Sequence, residues 1–468
     1  MPGFFAYFVL AAYVPLSVLA FFLMRPAKAA MIVVLIGILF LPGVVAFDAP
    51  LVPPLGKHEV ATLCALMGLL AFSPRQVRRA RLGRGGDAFL LLTIPAIAFT
   101  VFTNRDPLTF GPKVLPGLTT HDLLSSLVHF FLEDAVPYLV GRLVVTSSRD
   151  ARTLVHTFVR LGLLYSLFML FEMRMSPNLH YWIYGYALHP DFTQTIRWGG
   201  YRPTVFMAHG LVVGLFALAA ALLAATEGRI TKRRLGLPVG WSTLYLVTIL
   251  VLCKSTGVII MGVVTLPVVA LAGPRRQIRV AVLLAAICIA YPGAKLAGVF
   301  PEQAIAEFTR DHLSPERAAS LQFRFGMDKQ LMDHARERLL LGWGAFGRVR
   351  VYDETGRDTV VTDGYWIIVL CGGGLLRLVC AFGLLLYPVM RAARVLRRVR
   401  EPGDRFLLAG LAVALACYVF DLLPNGMGNP IPLFLAGALA RLNLELSRPE
   451  MTEPQVVAES ELAFRSLA

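Results

Sequence analysis

Phe4–Leu23 reads FFAYFVLAAYVPLSVLAFFL, a run without a single charge. A bilayer core about 30 Å thick is crossed by roughly 20 apolar residues of helix. In hydrocarbon only helices and closed barrels satisfy every backbone group, and a run this long and continuous is helical. It lacks a basic segment ahead of it and a small-residue cleavage site, so it reads as a span rather than a cleaved signal. Similar runs recur at Met31–Phe47, Thr204–Ala225 and Gly364–Met390. Composition agrees: of 468 residues 56% are hydrophobic and 16% charged, where a soluble domain carries about 25% charged. Mean hydropathy is +0.65.

Working outward, spans are expected at 4–23, 31–47, 58–72, 87–102, 121–145, 152–172, 204–225, 241–254, 256–272, 279–294, 364–390, 404–422 and 430–446. The expected fold is all-α, a polytopic membrane domain over 1–447 with about 12–13 transmembrane helices. A polar, acidic, flexible cytoplasmic tail follows over 448–468. If every span stands, the N-terminus lies outside and the C-terminus in the cytoplasm.

The net charge of +15 raises the question of nucleic acid, and the location of the charge answers it. Basic residues cluster at Arg25 and Lys28; at Arg75, Arg78, Arg79, Arg81 and Arg84; at Arg229, Lys232, Arg233 and Arg234; at Arg275, Arg276 and Arg279; and at Arg391, Arg394, Arg397, Arg398 and Arg400. These short loops alternate with loops poorer in basic residues, the positive-inside pattern of membrane proteins. No nucleic-acid partner is expected. The six cysteines all fall in or beside apolar runs without a CxxC pair, so they read as small buried hydrophobes rather than as disulfide or zinc sites.

Four segments then face outward: 48–57, 103–120, 173–203 and 295–363. The last two are longer than simple connectors. The first of them is rich in aromatic residues (Tyr181, Trp182, Tyr184, Tyr186, Trp198, Tyr201) beside His180 and His189, suited either to an interfacial belt or to sugar contact. In 295–363, Ser314 as N-cap, Pro315 at the first helical position and apolar residues at Leu321, Phe325, Met332, Ala335 and Leu339 spell a helix. Gly342 would stop it. Arg317 and Arg324 fall away from much of that apolar stripe, so an amphipathic helix along the membrane surface is expected.

Charges in or beside spans are functional candidates. Arg197 and Arg202 precede the seventh span, in which His209 follows within two turns; paired guanidinium forks suit a diphosphate, and snorkelling to headgroups is the alternative. Lys254 sits at a tight hairpin, as a ligand or an interface anchor. Arg324 precedes Asp328 by one turn, and that spacing also describes a plain solvated pair. Asp363 at the mouth of the eleventh span can act as a base, orient a hydroxyl or cap the helix. Glu133, Asp134, Glu172 and Asp421 are further acids that either line a proton path or pair with arginines. No GxSxG, P-loop or HExxH is present.

Three stretches carry a resemblance. Leu252-Cys-Lys-Ser-Thr-Gly-Val-Ile-Ile is a small-residue basic hairpin. Ser320-Leu-Gln-Phe-Arg-Phe runs on to Leu339-Leu-Leu-Gly-Trp-Gly-Ala-Phe-Gly, and Thr362-Asp-Gly-Tyr-Trp-Ile leads to Gly372-Gly-Gly-Leu-Leu. In this order, over residues 150–445, they resemble the O-antigen ligase and polysaccharide polymerase superfamily of bacterial inner-membrane proteins. In its ligases the re-entry carries histidine followed by asparagine, where this chain has Asp363-Gly364, so the resemblance points to the polymerases.

The resemblance implies a metal-independent glycosyltransferase without a cofactor, working on the periplasmic face. It would polymerise repeat units carried on undecaprenyl diphosphate, among membrane lipids and other polysaccharide-assembly proteins. Arg202 and Arg324 would hold the diphosphate, with Arg197, Lys254 and Arg317 assisting, and His209 or Asp363 would serve the attacking hydroxyl. Ligase-type transfer to another acceptor, a lipid-linked-glycan flippase with pseudo-symmetric halves, and a non-catalytic assembly role are the alternatives.

Overall fold

The computed structural model describes residues 3–447 apart from 50–51, 79, 81–82, 189–191, 232, 235–236, 239 and 313. The tail expected over 448–468, and Arg79, Arg81, His189 and Lys232, lie outside the described residues. In chain order the helices begin with α1 (Phe4–Leu23), α2 (Pro26–Phe40), α3 (Lys57–Phe72), α4 (Pro74–Arg78), α5 (Asp87–Phe102) and α6 (Thr120–His129). A π-helical turn, Phe130–Ala135, leads into α7 (Val136–Val144), α8 (Ser148–Met175), α9 (Leu179–Tyr184) and α10 (Gly210–Ile230). Then come α11 (Gly240–Leu252), α12 (Thr256–Leu271), α13 (Pro274–Leu296), α14 (Glu302–His312) and α15 (Pro315–Glu337). The chain closes with α16 (Tyr365–Val395), α17 (Pro402–Asp421) and α18 (Ile431–Leu446). Among the described residues, strand is confined to two-stranded hairpins.

Among the described residues, seven helices are long and apolar enough to cross a membrane: α1, α6 through α7, α8, α10, α13, α16 and α17. Four shorter apolar helices, α2, α5, α11 and α12, accompany them. The protein is thus a helical, multi-pass membrane protein. Helix α10, rich in Ala and Leu on every side, is buried on every side, whereas α1 keeps much of its apolar surface exposed. Close packing uses small residues, as in membrane bundles generally. At the α7–α18 crossing, a Cβ on Gly141 would lie 2.0 Å from the Phe434 carbonyl oxygen, and one on Gly437 2.0 Å from that of Tyr138.

Side-chain contacts sort the connecting segments into two ends. At one end, His180 accepts from the Gly43 N–H (3.3 Å) and Tyr186 donates to the Gly43 carbonyl. Arg202 donates to Ser255 (2.9 Å) and Arg317 to Thr256 (3.4 Å). Arg338 pairs with Asp106 (2.6 Å), and the Tyr365 N–H donates to the Leu422 carbonyl (3.0 Å). At the other end Gln76 donates to the Leu143 carbonyl, Arg152 to Glu401 and Asp404, Arg229 to the Ala270 carbonyl and Arg441 to the Ala80 carbonyl. There a buried Arg142–Asp87 pair (2.7 Å), joined by the Tyr138 hydroxyl, ties α5 to α7. The basic loops collect at this second end and every candidate site residue at the first.

Two features lay beyond the sequence reading. The segment before α16 holds α14 as well as α15. Helix α16 is also broken at Gly374 (φ 66°, ψ −167°). The freed groups are recovered by residues 339–344: Trp343 and Gly344 donate to the Cys371 and Gly372 carbonyls (both 2.8 Å), and Leu375 and Leu376 donate to the Leu339 and Leu340 carbonyls (2.8 and 3.3 Å). Non-helical backbone at membrane depth persists only where protein or a water-filled cavity satisfies it.

Candidate functional site

Arg202 leaves a two-residue-strand hairpin, Ile196–Arg197 against Gly200–Tyr201, whose turn holds Trp198 and Gly199 at positive φ. Its own N–H donates to the Thr195 carbonyl (2.7 Å), which fixes where the arm starts. The side chain then runs into the bundle at 5% exposure, beside Gly210, where a Cβ would fall 2.7 Å from Nε. Nη2 donates to Ser255 Oγ, and Nε is buried without a partner. Burial, and after it the neighbouring Arg197, pushes this guanidinium down to about 10, so it stays cationic at neutral pH. A buried cation with a spare donor is a strong anion seat, because the unmade hydrogen bond is costly in a poorly solvated site.

The hairpin between α11 and α12 forms the floor of this region. Lys254 stands at its tip in a left-handed conformation (φ 54°). Its ammonium reaches back to the Arg197 hairpin, 2.2 Å from where a Cβ on Gly200 would sit. From above, α15 starts at the N-cap Ser314, whose hydroxyl accepts from the Arg317 N–H, with Pro315 in the first turn. Arg317 then reaches Thr256, the residue after the one held by Arg202. One face further along, Arg324 Nε lies 3.4 Å from Asp363. Arg202, Lys254 and Arg317 therefore meet around residues 254–256, Arg197 is exposed at the rim, and Arg324 forms a second pole with Asp363.

Three alternatives are settled differently from the sequence reading. Asp328 does not pair with Arg324: it turns inward to Lys295 (3.5 Å), which also binds Glu302 (2.6 Å). Burial pushes Asp328 up to about 6 despite Lys295. Asp363 does not cap α16, whose N-cap is Gly364. His209 lies ahead of the seventh span rather than in it and is the N-cap of α10; Nδ1 accepts from the Leu211 N–H (3.1 Å) and Nε2 meets Gln194 Oε1 (3.2 Å). Glu172 is structural as well, accepting backbone N–H groups of Leu179, Thr204 and Val205 at 2.7–3.0 Å.

Two cavities lie beside this arginine group, not inside it. Volumes of about 250 and about 500 Å³ share Phe130, Glu133, Asp134, Tyr365 and Arg377. Asp134 pairs with Arg377 (3.3 Å). Both acids sit on the π-helical turn and Arg377 just past the α16 break, two kinds of irregularity that concentrate at functional sites. Arg377 was missed in the sequence; an arginine one turn after three glycines, inside an apolar run, was its signal. No family model matches the chain, and no curated protein matches it.

Proposed function

We propose that this chain is a polymerase of lipid-linked oligosaccharide repeat units. It would work in the inner membrane of a bacterium and transfer glycan from undecaprenyl diphosphate to a sugar hydroxyl on the periplasmic side. The observation that supports this most is the meeting, at one end of the bundle, of Arg202, Lys254 and Arg317 from three separate segments, with Arg324 and Asp363 alongside. On this reading all thirteen expected spans cross, the N-terminus is outside, and α15 roofs the site at the membrane surface. Exposed Tyr181, Trp182 and Trp198, each 55% accessible, offer faces to sugar rings, while Tyr184 and Tyr186 belong to the core.

In the reaction a hydroxyl oxygen of one glycan attacks the anomeric carbon of the other. The new glycosidic C–O bond forms as the bond from that carbon to the diphosphate oxygen breaks, and the prenyl diphosphate leaves. The arginines stabilise the charge that develops on it, and Asp363 takes the hydroxyl proton. Replacing Arg202 or Arg324 with alanine, with membrane expression confirmed, is expected to abolish long polymer in cells and leave single lipid-linked repeats. Unchanged polymer in both variants would overturn the proposal. The flippase alternative draws on one observation, the broken α16 over an acid-lined cavity, since discontinuous helices mark transporter sites. It predicts translocation without elongation in proteoliposomes.

A further inference from the structure

We propose that the chamber at the α16 break is the seat of the acceptor glycan, and that it takes a neutral, hydroxyl-rich saccharide. This rests on the transfer reaction proposed above. Of the two cavities that share Asp134 and Arg377, the larger, about 500 Å³, falls within the range of ordinary ligand pockets, about 300–1,000 Å³, and the other, about 250 Å³, adjoins it. Their polar wall suits hydroxyls. Glu59, Glu133 and Asp134 accept hydrogen bonds, Arg377 donates them from a position fixed by Asp134, and the Asn429 side-chain N–H is buried without a partner. The carboxylates outnumber the arginine, so an acidic glycan would be repelled. Phe346, on the wall of the larger cavity, is 53% exposed and held at φ 58°. A bulky residue in that region is strained, and such strain gathers at ligand clamps.

The chamber also communicates with the arginine group. A third cavity of about 20 Å³, room for one water, is lined by Tyr418, Asp421, Asn425 and Asn429. The Tyr418 hydroxyl, 2% exposed at residue level, has no partner. This small cavity shares Leu422, Met427, Asn429 and Pro432 with the 250 Å³ one. Leu211, on its wall, follows Gly210, the residue against which the Arg202 side chain lies. Segment 421–430 is therefore a thin partition between donor clamp and acceptor chamber, as a transfer between two bound glycans requires.

The test uses the full chain in nanodiscs and, as probe, the lipid-free repeat-unit oligosaccharide released from the host's own polymer by mild acid. Saturable binding is expected, unaffected by Arg202→Ala. Asp134→Asn and Phe346→Ala should each weaken it about tenfold, the loss of one good contact; Phe346 lies on the surface, so its variant leaves the core intact. Binding lost in Arg202→Ala but unchanged in both chamber variants, no binding at all, or an acidic repeat unit in the host polymer would overturn the inference. So would proton flux in proteoliposomes abolished by Asp134→Asn without any effect on sugar binding, which marks an ion path. If sugar binding follows the prediction while Arg202→Ala leaves polymer length unchanged, the diphosphate clamp fails and the chamber stands.

Discussion

His209 already spends both ring nitrogens. With Nδ1 accepting a backbone N–H, Nε2 carries the proton that it offers to Gln194, and no lone pair is left for a substrate hydroxyl. Asp363, whose side chain is 37% exposed beside Arg324, is the base in the proposed reaction. The expectation is that His209→Asn, which preserves an N-cap oxygen, supports polymer of normal length, while Asp363→Asn does not; polymer length on a gel reads both. Asp328 yields a prediction in pH. Its carboxyl is raised to about 6, above the usual range, so the folded state holds the proton more tightly than the unfolded one. That contribution to stability is complete below the usual carboxylate range and is lost as pH rises through about 6. Asp328→Asn should therefore flatten the rise in thermal stability expected on acidifying from neutral pH, and an unaltered slope would contradict the assignment. The individual arginines were legible because charge beside an apolar run stands out. The partners were not: that Arg324 meets Asp363 and Asp328 meets Lys295 depends on how α13, α14 and α15 pack, which spacing along one helix cannot encode.

Among elements, α15 was readable from its cap, proline and apolar period. The break in α16 was not, because three glycines in an apolar run also describe a close helix crossing. What makes Gly374 a break is residues 339–344 lying against it: a Cβ there would fall 2.3 Å from the Leu340 carbonyl carbon. Its backbone conformation is one that side chains rarely adopt, costing about 1–3 kcal/mol before that clash is counted. Gly374→Ala is thus expected to remove folded protein from the membrane. Gly372→Ala, whose Cβ would lie 3.5 Å from the Gly344 carbonyl oxygen, should accumulate normally. Equal accumulation of both variants, measured by fluorescence-detected chromatography, would show that the paired backbone segments do not set the fold here.

For the whole molecule, the two ends differ in what their charges do. At one end arginines crowd the short loops between helices; at the other, arginines from separate segments gather around Ser255, Thr256 and Asp363. Apolar runs and loop charge announced that polarity directly, since both are properties of composition along the chain. The separation of an arginine group from an adjoining cavity was hidden, because it arises from a π-turn and a helix break that only the packed bundle stabilises. The central claim is that the arginine group seats a prenyl diphosphate. Native mass spectrometry of the purified chain with undecaprenyl diphosphate measures that most directly. A saturable adduct is expected, competed by inorganic diphosphate and lost in Arg202→Ala and Arg324→Ala; an adduct that persists in both variants, or none in the unaltered chain, would contradict it.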